Sequence, residues 1–479
     1  MNSEFRIRHF EFKALHGLIL LALGVGVGVL VSFDRALSPY HPLWGILPSW
    51  LPHTVWWWTP TALLVLLLLL TAFRGFEWAF ERRYALAAVP LLASTTLTGL
   101  NIANRDPFEI ALLWAVTVWV TTTLAEHRPI RTPRFVLALL LGMSACVVAS
   151  VVNGRVVSLL GLHTYLAKFM AAFVLIELIA TPELHRTALR VLIVISVFSA
   201  LVALGSEVLF VLTGFQLSLD DAPTARVKMT PIGPLLRATA LLPTAQSLGH
   251  LLTVGLGLAL CRPGALWMRL LLAALIWAGA AATLSTGSLV STGVILAVWP
   301  FVQWPARTLH FLALLVVAGI VVYLSGVLDS AWDALKTIGS WGLNERVELI
   351  HGGLRLVSEN PLCGCGVRND LRVLHLPVHN SYLQIAAETG VAGGVLFTLL
   401  AAYSLFGCAA AALAARAAED RAWLTGLALG MCGIAVHFLS EPLANDYLTY
   451  AFFGVAIGAA TFYRRPAAAR SGDRYAQLL

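Results

Sequence analysis

The sequence predicts an all-α polytopic membrane protein with about 12–14 transmembrane helices and a large helical outer loop. Three observations support this. Of 479 residues, 59% are apolar and 12% charged, against roughly 45–50% and 25% in a soluble domain, and the mean hydropathy is +0.82. The apolar residues gather into windows separated by short charged segments. Lys and Arg, finally, fall mainly in alternate segments. This composition excludes a soluble enzyme and a disordered scaffold. It also excludes a nucleic-acid binder: the +7 formal charge comes from 32 basic and 25 acidic residues, scattered in small groups rather than laid on one face.

About 20 apolar residues cross the hydrocarbon core as a helix, which satisfies its own backbone polar groups. Fourteen windows qualify, near 13–33, 54–73, 84–102, 108–126, 135–153, 164–181, 189–213, 245–261, 270–286, 288–303, 311–328, 391–415, 422–440 and 449–463. Several are only 15 to 17 residues long and include candidates for partial or re-entrant spans. Residues 1–463 read as one transmembrane domain, and 464–479 as a solvated cytoplasmic tail.

Orientation follows from the cations, because short cytoplasmic loops are enriched in Lys and Arg. With the N-terminus inside, twenty of them fall on inner segments, including Arg6, Arg8, Arg82, Arg83, Arg128, Arg131, Arg134, Arg416, Arg421 and Arg464. Short outer segments hold only Arg35, Arg105, Arg155 and Lys168. Both termini are therefore expected in the cytoplasm. The first window lacks a convincing cleavage pattern and is expected to stay. Trp56, Trp57 and Trp58 open the second window as headgroup anchors. Cys363 and Cys365 are too close for ordinary disulfide geometry, and no zinc-ligand spacing occurs.

The remaining eight cations lie in two long outer loops, 214–244 and 329–380. The first holds Asp220, Asp221, Arg226, Lys228 and Arg237; the second holds Lys336, Arg346, His351, Arg355, Arg368, Arg372, His375 and His379. Such a concentration at a membrane surface suits an anionic, lipid-linked ligand. Its bland alternative is loop solvation or retention of anionic lipid.

Within the second loop, NERVELIHGGLRLVSENP places Val347, Ile350, Leu354 and Val357 at helical spacing before Pro361, predicting a short amphipathic helix that carries Arg346 and Arg355. Gly364 and Gly366 then permit a sharp turn. In HNSYLQIAAETGVAGG, Ser381 and Gln384 have capping-box spacing for a helix beginning near Asn380. His379 would sit at its N-terminal end, where the helix dipole and neighbouring Arg charges keep imidazole neutral. A neutral imidazole can serve as general base toward a sugar hydroxyl; the alternative is a histidine that only caps the helix.

The stretch from Arg346 to Gly394, with ENPLCGCG and then HNSYLQIAAETGVAGG, resembles the periplasmic loop and following helix of the O-antigen ligase and polymerase superfamily. The resemblance implies a GT-C-like glycosyltransferase architecture in a Gram-negative inner membrane, with the active site on the periplasmic side. It carries the family's catalytic histidine onto His379 and its loop arginine onto Arg346. A second family arginine, at the end of the earlier outer loop, corresponds to Arg237 in RATALLPTAQSLG. Asn380, Arg355 and Arg368 are supporting candidates. Two positions depart from the family pattern: Thr244 and Ala245 stand where Asn is frequent, and Ser288 is followed by Leu289 rather than Arg.

The activity so implied is transfer of a glycan from undecaprenyl pyrophosphate to the lipid A-core oligosaccharide, inverting and independent of metal or any other cofactor. The expected partners are that lipid-linked donor, that acceptor and membrane lipids, with no nucleic acid. O-antigen polymerase and protein O-oligosaccharyltransferase share the motif and remain open. So do a metal-dependent polyprenyl-phosphate-sugar transferase using Asp34 as base, and a flippase or transporter without chemistry, for which Glu177, Glu207 and His437 are the polar intrusions into windows.

Overall fold

The computed structural model describes residues 82–96, 107–179, 181–214, 227–230, 233–325 and 343–463. The chain divides into two compact units, 1–82 with 100–106, and 83–99 with 107–479. Every element below belongs to the second. The first two windows, the tryptophan run, Asp34, Asp220, Asp221, Arg226, Lys336 and the tail lie outside the described residues.

The chain is a helical, multi-pass membrane protein. Its described helices are α1 (Arg83–Ser94), α2 (Pro107–Glu126), α3 (Arg134–Leu178), α4 (Pro182–Thr213), α5 (Ala245–Cys261), α6 (Leu266–Ala282), α7 (Thr286–Gln303), α8 (Thr308–Leu324), α9 (Leu343–Glu359), α10 (Asn369–Leu374), α11 (Ser381–Ala414), α12 (Ala418–His437) and α13 (Tyr447–Tyr463). Among the described residues six stretches are long and apolar enough to cross a membrane: Pro107–Leu124, Arg134–Asn153, Gly161–Leu178, Pro182–Thr213, Thr286–Gln303 and Ser381–Ala414. The windows at 245–261 and 449–463 correspond to the shorter apolar helices α5 and α13.

Helix boundaries follow local chemistry. Thr181 caps α4 by accepting from the Leu184 amide, with Pro182 in the first turn, and Gly214 ends the helix at φ 71°. Thr244, Ser285 and Asn380 cap α5, α7 and α11 in the same way. Between α4 and α5 the chain forms an antiparallel pair, β1 (Val227–Thr230) and β2 (Gly233–Leu236), with Val227 opposite Leu236. Glu207, near the end of α4, accepts from the Leu236 amide at 3.2 Å and fastens the pair to the bundle.

The window 135–153 and most of the window 164–181 fall in the one helical element α3, which ends at Leu178 and doubles back. A straight helix of 45 residues would be about 68 Å long. Yet Glu177, near its end, accepts from the backbone amides of Arg131 (3.0 Å) and Thr132 (2.7 Å), just before its start. The buried carboxylate at 177 thus satisfies loop amides.

Conversely, the helix expected from Asn380 and the window at 391–415 are one element, α11, interrupted at Gly390 (φ 85°, ψ 171°). The capping-box reading is corrected here. Asn380 is the cap, accepting from the Leu383 amide at 3.0 Å, so Ser381 lies inside the helix and is free for another task. The buried face of α9 also differs from the expected one. Leu349 and Leu356 are buried, whereas Val347 and Leu354 are about half exposed.

At the centre of the bundle α12 packs on α5, α7 and α11, while α13 packs on α3 and α11. The α5–α12 approach is close enough to need glycine. A Cβ on Gly257 would stand 2.6 Å from the carbonyl oxygen of Gly426 and from the amide nitrogen of Gly430, the small-residue contact that lets membrane helices touch backbone to backbone.

Candidate active site

The starts of α5, α7, α11 and α13 meet the ends of α6 and α12 at one end of the bundle. Ser285 before α7 and Ser381 in α11 both bond Glu441, just beyond α12. Thr449 in α13 reaches His250 in α5 at 3.1 Å. Four helix N-termini therefore gather here, and their partial positive charge favours an anion.

Glu441 is the hub of this end. After α12 stops at His437 the chain turns, with the Ser440 and Glu441 amides both donating to the His437 carbonyl at 3.1 Å. Ser381 clamps the turn: its hydroxyl donates to the Glu441 carbonyl at 2.7 Å and accepts from the Leu443 amide at 2.8 Å. The Ser381 amide donates to the Phe438 carbonyl at 2.8 Å. Held this way, the Glu441 side chain is wholly buried.

Three segments distant in sequence converge on that carboxylate. Arg346, from α9, donates through Nη2 to Oε1 at 3.1 Å. His379, immediately before the cap of α11, places Nδ1 at 3.4 Å from Oε2. Ser285 donates to Oε1 at 3.3 Å. Arg237, just after β2, is held by the bond from the next amide, Ala238, to the Ala282 carbonyl at 3.1 Å. Its Nε is buried without a hydrogen-bond partner among the described residues.

The electrostatics follow from this packing. Burial by itself would raise the Glu441 carboxyl; contact with His379 and the charge of Arg346 outweigh it and hold the group down at about 2, with His437 assisting. Glu441 is therefore ionised at neutral pH. Burial lowers the Arg237 guanidinium from its ordinary value, an effect opposed by Glu441 and reinforced by Arg346. Among the described residues two guanidinium groups face one carboxylate, leaving a net positive charge beside a histidine. That arrangement can bind an anion through bidentate donors and present a base next to it.

Of the residues expected at the site, Arg237, Arg346 and His379 come together. Asn380 adjoins them as a helix cap, its Nδ2 also donating to the Leu439 carbonyl at 3.3 Å. Arg355 is exposed and paired with Glu359 at 3.7 Å. Arg368 is exposed in a left-handed conformation (φ 60°) at the start of α10. Thr244 is the cap of α5, and Leu289 is partly exposed beside a buried Ser288.

Sequence reasoning missed Glu441, whose position after an apolar window pointed toward the surface. Glu388, the acid of the E-T-G-V-A-G stretch within the motif, was given no role by the sequence; it is wholly buried in α11 and accepts from Tyr165 at 2.7 Å, Gln384 at 3.2 Å and Asn445 at 3.3 Å. Lys168 donates to the Asn445 carbonyl at 2.5 Å. Burial pushes the adjacent Asp370 carboxyl up. This second polar cluster braces the far side of the 438–446 turn. The sequence signal for Glu441 was its place just after an apolar run, where an unpaired carboxylate would be costly; Glu388 had in addition its place before the glycines of the motif.

Residues 271–398 match the model of the family described as O-antigen ligase (Wzy_C). This segment runs from α6 into α11 and contains Arg346 and His379, while Arg237 and Glu441 lie outside it. No curated protein matches the chain.

Proposed function

We propose that this chain, a member of the O-antigen ligase and polymerase superfamily, is the ligase. It transfers a glycan from undecaprenyl pyrophosphate to the lipid A-core oligosaccharide at the periplasmic face of the inner membrane. The observation that carries the reading is the meeting of Arg237, Arg346 and His379, from three separate segments, at the polar end of a membrane bundle.

In this reading the two arginines hold the donor diphosphate. His379 accepts the proton of the acceptor hydroxyl as that oxygen attacks the anomeric carbon from the face opposite the diphosphate. The bond from the anomeric carbon to the phosphate oxygen breaks, its electron pair leaves with the diphosphate, and the anomeric centre inverts. General-base assistance is worth typically about 10²–10⁴-fold, and fixed donors at a developing anion about 10²–10³-fold each. The polyprenyl tail lies among the membrane helices and the acceptor lipid approaches laterally.

Lipopolysaccharide from a strain lacking the gene tests the assignment. Loss of all attached O-antigen, restored by wild type but not by His379→Ala, is the expected result. Lipopolysaccharide carrying a single repeat would reassign the chain as a polymerase, and normal lipopolysaccharide with an unglycosylated protein acceptor would reassign it as a protein-directed transferase.

A further inference from the structure

Resting on the reading of His379 as base, we infer that Glu441 is its positioning residue, and that by sharing the same carboxylate with Arg346 it couples the strength of the base to occupation of the donor site. The geometry is specific. One oxygen meets His379 Nδ1 at 3.4 Å, the other meets Arg346 Nη2 at 3.1 Å, and the carboxylate has no exposure to water.

A carboxylate accepts only, so the imidazole tautomer that suits this contact carries its proton on Nδ1. Nδ1 is shut away while 19% of the side chain stays open, leaving Nε2 with its lone pair for the substrate hydroxyl. This also resolves a difficulty raised by the arginines. Two guanidinium groups and a helix N-terminus stand beside this ring, and their positive charge opposes the imidazolium that must form once it takes a proton. Glu441 is the counter-charge that makes the protonated ring tolerable, as a buried carboxylate does behind a histidine base elsewhere.

Arg346 supplies the coupling. With the donor site empty, its guanidinium is engaged by Glu441. When a diphosphate draws on the same guanidinium, Glu441 loses part of its compensation and pulls harder on Nδ1–H. His379 then becomes a stronger base when a donor is present to be attacked, which disfavours idle deprotonation of water. The groups facing the pair are Arg346 from α9, Arg237 after β2 and His437 from α12; Ser285, the contact from the turn before α7, does not titrate in this range.

The test compares Glu441→Gln and Glu441→Asp with wild type, in full-length protein reconstituted with a lipid-linked donor. An amide donating toward Nδ1 selects the wrong tautomer, so Glu441→Gln should lower kcat by about 10³–10⁴-fold with donor KM unchanged or lower. The acid limb of its pH–rate profile should move to lower pH. Glu441→Asp should recover part of kcat and part of the shift. A purely structural role would reduce the amount of folded protein without moving that limb. Folded Glu441→Gln within threefold of wild-type kcat, or with an unmoved acid limb, overturns the inference; if Glu441→Gln does not fold, Glu441→Asp decides, and a folded Glu441→Asp that has lost kcat as far as His379→Ala overturns it. His379→Ala separates the two levels. If it retains transfer, the base assignment itself fails; if it is inactive while Glu441→Gln is unaffected, only the positioning role fails.

Discussion

Gly364 and Gly390 lie face to face. A Cβ on Gly364 would stand 2.3 Å from the carbonyl carbon of Glu388, and one on Gly390 would stand 2.3 Å from the carbonyl oxygen of Leu362. Both residues have positive φ, 68° and 85°. Around them the loop bonds directly to the interrupted helix: Cys365 N to Ala387 O at 2.8 Å, Gly366 N to Glu388 O at 3.0 Å, and Val391 N to Pro361 O at 2.9 Å. The two glycine-bearing motifs are thus one structural joint, fixing the loop onto α11 between Ala387 and Val391.

Alanine at either glycine should break that joint. Left-handed strain of about 1–3 kcal/mol adds to backbone overlap that cannot relax. Gly364→Ala and Gly390→Ala are each expected to lower the thermal midpoint in detergent and expose 343–380 to protease. Unchanged proteolysis of both would mean the loop does not depend on this contact.

Removing either guanidinium should impair use of the donor. Arg346→Ala and Arg237→Ala are expected to reduce kcat/KM for the lipid diphosphate by about 10²–10³-fold. Arg346→Lys should recover little, because a point charge cannot serve Glu441 and a phosphate together. Steady-state kinetics with purified donor provide the check, and a normal donor response in both alanine variants would return these residues to a structural role.

Asn380 offers a contrast. Its side chain is occupied as the α11 cap, so Asn380→Ala should cost about 1 kcal/mol of stability and only a few-fold in rate, while Asn380→Asp should keep the cap. A loss approaching that of His379→Ala would show that Asn380 touches substrate.

The depressed Glu441 carboxyl predicts a pH dependence of stability. A folded value of about 2 against an ordinary 4.5 means that its contribution is complete above about 4.5 and disappears as pH falls toward 2. At full strength it amounts to no more than about 3 kcal/mol. Thermal midpoints measured in detergent from pH 6 to pH 2.5 should therefore fall more steeply for wild type than for Glu441→Gln. Parallel curves would show that Glu441 is not held down by its neighbours.

Because guanidinium groups are assigned the diphosphate, transfer should continue in EDTA with no added metal. Strict dependence on Mg²⁺ or Mn²⁺ would instead favour the carboxylate-based alternative built on Asp34, which lies outside the described residues.

The helices were legible because membrane insertion imposes a length and a polarity on each segment. The window 245–261 coincides with α5, and the windows 108–126 and 288–303 lie within two residues of α2 and α7. Doubling back within α3 was legible as two windows, since a span cannot exceed the hydrocarbon thickness by much. The buried face of α9 was not, because its packing against α11 includes glycines, which carry no hydropathy signal: a Cβ on Gly353 would lie 3.0 Å from Leu383.

By itself the sequence determined that this chain is a helical membrane protein, and through its family resemblance it singled out Arg237, Arg346 and His379 as candidates, because hydropathy and local motifs are properties of neighbours along the chain. Only the tertiary structure decided that Glu441 stands between Arg346 and His379. That carboxylate is 62 residues from one and 95 from the other, and no local pattern encodes a contact made where an α12 turn, clamped by Ser381, meets a loop helix and the start of α11.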